Sequence, residues 1–352
     1  MAADKCRLRR GSACAATLAL SLLAGAPAWS QTQQQIDWCV NTGNAYPPDL
    51  RIVGCTAAIE SGQWSGGGII WAFMNRGLAL ANKRDPRAIA DFDEVVRIDP
   101  HQVRALFERG RAFATIVGDV ARAVRDFDRA IAVDPNYTAA RIYRGGIRRR
   151  SSDYDGAIRD FSASLAVDDD ARIHVARGGA YRAKGDYDRA LQDYEEALTL
   201  VPGRAAFIDA RGQGNFSMAR YDAAAADFTS VLDSDPGSAT ATLWLFLSRA
   251  RAGGESAAAT DLAARAPKLR QPEWPYAAVE LFLGRGAPET VLAAATAPQE
   301  HCEARIFVGE WHVLHDDRAG ATAVLSSMED DCPKFFIDFH ELAEAELKRL
   351  GQ

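Results

Sequence analysis

The 352 residues of this chain suffice for two ordinary domains or one elongated array, and a content of 48% hydrophobic and 25% charged residues excludes wholesale disorder. The net charge is −6, and removal of the first 30 residues, which carry Lys5, Arg7, Arg9 and Arg10 against Asp4, takes it to −9. So acidic a body excludes broad, sequence-independent nucleic-acid binding, which rests on many basic phosphate contacts.

Residues 1–30 read as a secretory signal peptide. The basic residues precede an apolar run, Ala13 to Ala26, and Ala28–Trp29–Ser30 offers the small residues that a signal peptidase reads. Cleavage is expected before Gln31. An uncleaved anchor is the competing reading, but the run falls short of the ~20 apolar residues that a span requires. A lipoprotein would need its acylated Cys after the apolar run. Cys14 stands at its start, behind Gly11–Ser12–Ala13 with no Leu. The mature product is expected to be periplasmic or secreted, with no transmembrane span.

Cys6 and Cys14 leave with the leader, and Cys39, Cys55, Cys302 and Cys332 remain. An even count in an exported chain predicts two disulfides. Proximity pairs Cys39 with Cys55. Cys302 opens the first helix of a hairpin and Cys332 ends the second, so antiparallel packing pairs these two. Such loops stabilise by roughly 3–4 kcal/mol in the chain-entropy model. A metal site would need C-x-x-C spacing or His pairs nearby, and neither pair has them.

Residues 31–68 read as a truncated opening repeat, with a short helix around Ile36–Val40 and a second from Asp49 to Glu60 behind Pro47–Pro48. Five repeats follow over residues 69–236. Their markers are Gly77, Ala88, Phe92 and Pro100; Gly110, Ala123, Phe127 and Pro135; Gly145, Ala157 and Phe161, with Asp169 in the Pro slot; Gly178, Ala190, Tyr194 and Pro202; and Gly212, Ala224, Phe228 and Pro236. The marker glycines are 33, 35, 33 and 34 residues apart. This grammar resembles the tetratricopeptide repeat family, stacked helix–turn–helix units that act as binding surfaces. In the expected packing, Gly and the first Ala face each other at the helix crossing, and the aromatic fills the wedge towards the next repeat. A second pattern sets Arg76, Arg109, Arg144, Arg177 and Arg211 immediately before the glycines. Asp91, Asp126, Asp160, Asp193 and Asp227 stand immediately before the aromatics. Antiparallel hairpins bring these positions to one height, which predicts a structural ladder of surface Arg–Asp pairs worth ~0–1 kcal/mol each.

Residues 237–300 read as degenerate hairpins, Ala239–Ala252 with Glu255–Arg265 and then Tyr276–Leu283 with Pro288–Ala295. Residues 301–352 give a last repeat-like hairpin and a closing helix, Ile337 to Leu350. That helix is expected to turn Phe339, Leu342, Ala343, Leu347 and Leu350 inward, and Glu341, Glu344, Glu346, Lys348 and Arg349 outward. Trp274–Pro275, Leu281–Phe282–Leu283–Gly284, Phe307–Val308–Gly309–Glu310–Trp311 and Glu346–Leu347 resemble the NlpI-type TPR lipoproteins of the bacterial outer membrane. That resemblance implies a cell-wall scaffold that docks peptidoglycan hydrolases and a processing protease, often as a dimer. The chain departs from those lipoproteins in lacking the lipobox Cys and in adding two disulfides.

No catalytic constellation emerges. Gly254–Glu255–Ser256–Ala257–Ala258 misses the nucleophile elbow, and His312 and His315 lack the H-E-x-x-H frame and read as a solvated face. No cofactor motif is present: Gly212–Gln213–Gly214 lacks a third Gly and a preceding strand. The first helix of each repeat is expected to line a peptide groove, with Arg104, Phe107, Arg111, Arg149, Arg150, Arg172, Arg182, Asp209, Gln213 and Phe216 facing it. That groove would hold an extended or acidic peptide; the arginines read equally well as ordinary solvated side chains. The sequence thus predicts an all-α, right-handed superhelix of TPR units with disulfide-stapled ends, acting as an exported, non-catalytic adaptor. The alternatives are a self-assembling envelope protein, for which a homo-oligomer is compatible, and a binder of a small ligand or peptidoglycan fragment.

Overall fold

The computed structural model describes residues 28–271, 273–333 and 336–351, and every regular element among them is helical. The leader expected over residues 1–30 lies outside the described residues up to position 27. The chain divides into two compact units, residues 1–140 and 141–352.

The first unit holds α1 (Ala28–Val40), α2 (Pro48–Glu60), α3 (Ile70–Asn82), α4 (Arg87–Ile98), α5 (Val103–Ala112) and α6 (Val120–Val133). Helix α1 begins well before the expected Ile36 and runs through the expected cleavage point. Cys39 and Cys55 are bonded, with Cα atoms 4.6 Å apart, and both are fully buried beside Ala58, Ile69 and Ala72. Gly110 and Ala123 are one residue further apart than the Gly–Ala pairs of the next three repeats. A π turn at Phe113–Val117 takes up the extra residue, and Gly118 closes it at φ 78°.

The second unit contains most of α7 (Thr138–Arg150), then α8 (Tyr154–Leu165), α9 (Ala171–Lys184), α10 (Tyr187–Leu200), α11 (Ala205–Ser217) and α12 (Tyr221–Ser234). These are followed by α13 (Ala239–Arg249), α14 (Glu255–Arg265), α15 (Tyr276–Phe282), α16 (Pro288–Ala294), α17 (Pro298–Leu314), α18 (Arg318–Ser326), α19 (Met328–Asp331) and α20 (Ile337–Leu350). Asp side chains start many of the helices. Asp119, Asp153, Asp170 and Asp317 each accept a hydrogen bond from a backbone N–H two or three residues on. The main core surrounds Trp244, which stacks on Phe228 at 5.9 Å and also meets Phe216 and Phe307. Cys302 and Cys332 are bonded. Cys302 lies one turn inside α17, and the short α19 separates Cys332 from the end of α18.

The expected approach of Gly to the first Ala is present in two repeats, where a Cβ on Gly110 or Gly178 would lie 3.1 Å from the carbonyl oxygen of Ala123 or Ala190, and in all five the marker Gly also faces the aromatic ring of its own repeat. A Cβ on Gly77 would lie 2.7 Å from Phe92, and on Gly110, Gly145, Gly178 or Gly212 it would lie 2.9–3.0 Å from Phe127, Phe161, Tyr194 or Phe228. The ring occupies the volume that any larger residue would need.

The Arg–Asp pairs are formed within each repeat, at 2.7, 2.6, 2.5, 2.7 and 2.6 Å from Arg76–Asp91 to Arg211–Asp227. They are not surface pairs. The Asp side chains are only 4–6% exposed, and burial pushes the Asp91 carboxyl up even against Arg76. Several of the arginines also reach the preceding hairpin: Arg76 donates to Thr56, Arg109 to Asp93 and Arg177 to Ser162. Each of these guanidiniums therefore pins its own hairpin and the one before it.

Candidate peptide-binding surface

In the first unit, the first-helix face of the repeats carries a groove of about 480 Å³ lined by Ile70, Trp71, Met74, Asn75 and Leu78 of α3 and by Gln102 and Arg104. Arg104 is exposed, and among the described residues it enters no ion pair. Arg111 is turned to Glu108 on its own helix at 2.7 Å. Phe107 does not face the groove. It is buried, with its ring 5.9 Å from Phe127 and 5.5 Å from Tyr137, so it belongs to the core.

In the second unit, the corresponding face carries helix α20 of the same chain. Arg149 donates from Nε and Nη2 to both carboxylate oxygens of Glu341, at 2.9 and 2.8 Å, and from Nη2 to Asp338. Arg182 donates to Glu341 at 2.5 Å and to Asp338 at 3.2 Å. Glu341 and Arg182 are almost wholly buried. The attraction of these two arginines holds the exposed Asp338 carboxyl below the usual carboxylate range. Gly179 lets Arg149 in: a Cβ there would lie 2.9 Å from the guanidinium carbon. The far end of α20 is held as well. Arg251 bonds Glu310 at 2.6 Å and Glu346 at 3.0 Å, and Arg349 reaches the carbonyl oxygens of Phe216 and Ser217. Burial pushes the Glu310 carboxyl up, and Arg251 pulls it back.

Glu341 and Glu346, expected to point outward, are therefore buried and paired. Helix α20 packs two faces. Leu342 and Ala343 enter the core with α17 and α18, while the acidic edge meets the arginines. The remaining predicted groove residues scatter. Arg150 is exposed, Arg172 pairs with its neighbour Asp170, Gln213 donates to Asp209 at 2.8 Å, and Phe216 is buried against Trp244. His312 meets Asp317, and His315 stacks on Trp311 at 4.0 Å. Among the described residues no group of three or more His, Cys, Asp or Glu could hold a metal ion.

A family model described as tetratricopeptide repeat matches residues 117–166 and 147–205. Residues 117–205 carry tetratricopeptide repeats. Among solved structures, a tetratricopeptide repeat protein from Parabacteroides merdae is 16% identical, with 73% of this chain and 98% of that one covered at a TM-score of 0.53. It shares the fold. MamA from residue 41 onward, from Desulfovibrio magneticus RS-1, is 24% identical over 48% of this chain and 96% of its own, at a TM-score of 0.45. The C-terminal part of a TPR protein from Cytophaga hutchinsonii is 15% identical over 75% and 98%, at 0.46. No curated protein gives a significant sequence match.

The signal for the intramolecular clamp was present in the chain: Asp338 and Glu341 stand three apart on one helix edge, which suits a pair of arginines. It was masked because an amphipathic pattern assigns all charge to solvent. Among the described residues no helix is long and apolar enough to cross a membrane.

Proposed function

We propose that this chain is an exported, non-catalytic adaptor that captures a peptide segment of a protein partner on the first-helix face of its opening repeats. The observation that carries the reading is the groove beside Trp71 and Arg104. It pairs apolar wall with an uncommitted cation, whereas Arg149 and Arg182 of the second unit are neutralised within the chain. A segment with an acidic side chain near an apolar one complements that groove, through a charge-assisted bond from Arg104 and burial against Trp71 and Leu78. Two disulfides suit an oxidising compartment such as the periplasm or the exterior. The resemblance to NlpI-type scaffolds supports cell-envelope partners, with peptidoglycan hydrolases and a periplasmic protease as the first to test.

The test is capture from solubilised cell envelope by residues 31–352, read by mass spectrometry, beside Trp71→Ala and Arg104→Glu variants. A specific envelope protein that both variants lose is the expected result. Equal recovery by the variants would move the binding surface elsewhere. Recovery of the chain alone would favour self-assembly.

A further inference from the structure

The third and fourth repeats depart from the other three at two positions of the first helix. Directly after the marker glycine they carry a second one, Gly146 and Gly179, where the others carry Leu78, Arg111 and Gln213. Four residues past the marker they carry Arg149 and Arg182, where the others carry Ala81, Ala114 and Phe216. This face is thus lowered by two missing side chains and supplied with two cations, which suits a helix that presents carboxylates one turn apart.

Helix α20 is such a helix, but its fit is incomplete. Arg182 is only 5% exposed and uses Nη2 alone on Glu341 and Asp338. Among the described residues its Nε and Nη1 have no hydrogen-bond partner. Of its two acceptors, Asp338 is 57% exposed. One turn beyond Glu341, α20 presents Ala345 to a cavity of about 340 Å³ that Arg182 and Lys348 also line. Buried donors without acceptors weaken a contact, and a ligand that supplies the missing acceptor gains over one that does not. We propose that the first-helix face of the second unit is a second binding site, held shut by α20, for an acidic amphipathic helix of a partner protein. That helix carries carboxylates at the places of Asp338 and Glu341 and a third where α20 has Ala345. The covalent tether gives α20 a high local concentration, so the site stays closed until a ligand with the extra carboxylate outcompetes it. The site is independent of the groove beside Trp71 and Arg104, and either can fail without the other.

Fluorescence anisotropy tests this with residues 31–352 and two labelled synthetic peptides, one with the sequence of residues 336–350 and one with Ala345→Glu in that sequence. The unaltered peptide is expected to bind poorly, because the tethered copy makes the same contacts. The Ala345→Glu peptide should bind roughly tenfold more tightly or better. Hydrogen exchange across residues 337–350 of the protein should quicken as its own helix is displaced. Glu341→Gln in the protein loosens the tethered helix and should raise the affinity for both peptides. Arg182→Lys keeps the charge but lacks the two spare donors, so it should make the two peptides bind alike. Near-UV circular dichroism checks that each variant is folded; Asp338→Asn, which alters the exposed carboxylate, replaces Glu341→Gln if that variant is not. Failure of both peptides to bind the loosened variant at millimolar concentration would overturn the proposal. So would equal affinity of the parent protein for the two peptides, or binding that leaves exchange across residues 337–350 unchanged.

Discussion

The two units use the same repeat but differ in what their first-helix faces do. In the first, Trp71, Leu78 and Arg104 line an uncommitted groove. In the second, Arg149 and Arg182 hold the chain's own Asp338 and Glu341. Within each repeat the machinery is shared, with a glycine under an aromatic ring and a half-buried Arg–Asp pair. An arginine on this face is therefore not in itself a ligand contact. Its role depends on whether the chain supplies a carboxylate of its own.

The largest expected effect comes from breaking the clamp. Glu341→Ala leaves Arg149 and Arg182 sharing Asp338 alone, and losing one partner of a buried pair costs about 3 kcal/mol or more. Urea denaturation would show a lower midpoint. An unchanged midpoint would mean that α20 is held by its apolar face and by the contacts of Glu346 and Arg349 at its far end, not by the Arg149–Arg182 clamp. Asp338 gives the clamp a pH signature. Its folded pKa lies below the ordinary value, so its contribution is complete above about pH 4 and disappears as pH falls through the folded value.

Next come the glycines, at about 1–3 kcal/mol each. Gly77→Ala and Gly212→Ala should cost similar amounts, because each added Cβ meets the ring of its own repeat. Gly179→Ala acts differently: its Cβ meets the Arg149 guanidinium, so it should disturb α20 and not the hairpin. Hydrogen exchange across residues 337–350 separates the two cases. Exchange there should quicken in Gly179→Ala and stay unchanged in Gly77→Ala.

Much of this was legible in the sequence. The hairpins, both disulfides and the five Arg–Asp pairings follow from spacing, because a repeat places equivalent positions at equivalent heights. The burial of those pairs was not legible, since spacing says nothing of depth. Nor was the contact between Arg149 and Glu341, 192 residues apart, because no periodicity links a groove to a terminal helix. Phe107 was misassigned for a related reason: a first-helix residue faces the groove or the second helix according to a fraction of a turn, and Tyr137 draws it inward.

Asp209→Asn is expected to change stability modestly, with a sign that depends on pH. The folded carboxyl is raised to about 6, so its favourable contribution is fully present below the unfolded value near 3.8 and is lost as pH rises through 6. The variant should therefore melt a few degrees above the parent at pH 8 and level with it at pH 4. A constant difference across that range would mean that Asp209 is not charged in the folded chain.

The smallest stability effect belongs to Arg104→Ala. Arg104 is exposed and unpaired among the described residues, so its removal should change stability by no more than about 0.5 kcal/mol. The same truncation at Arg182 strips a buried carboxylate of one of its two cations and should cost several-fold more. If Arg104→Ala leaves the melting curve unchanged and abolishes partner capture, the open face is a recognition surface. A loss of stability as large as that from Arg182 would give Arg104 a structural partner, and the contrast between the two units would disappear.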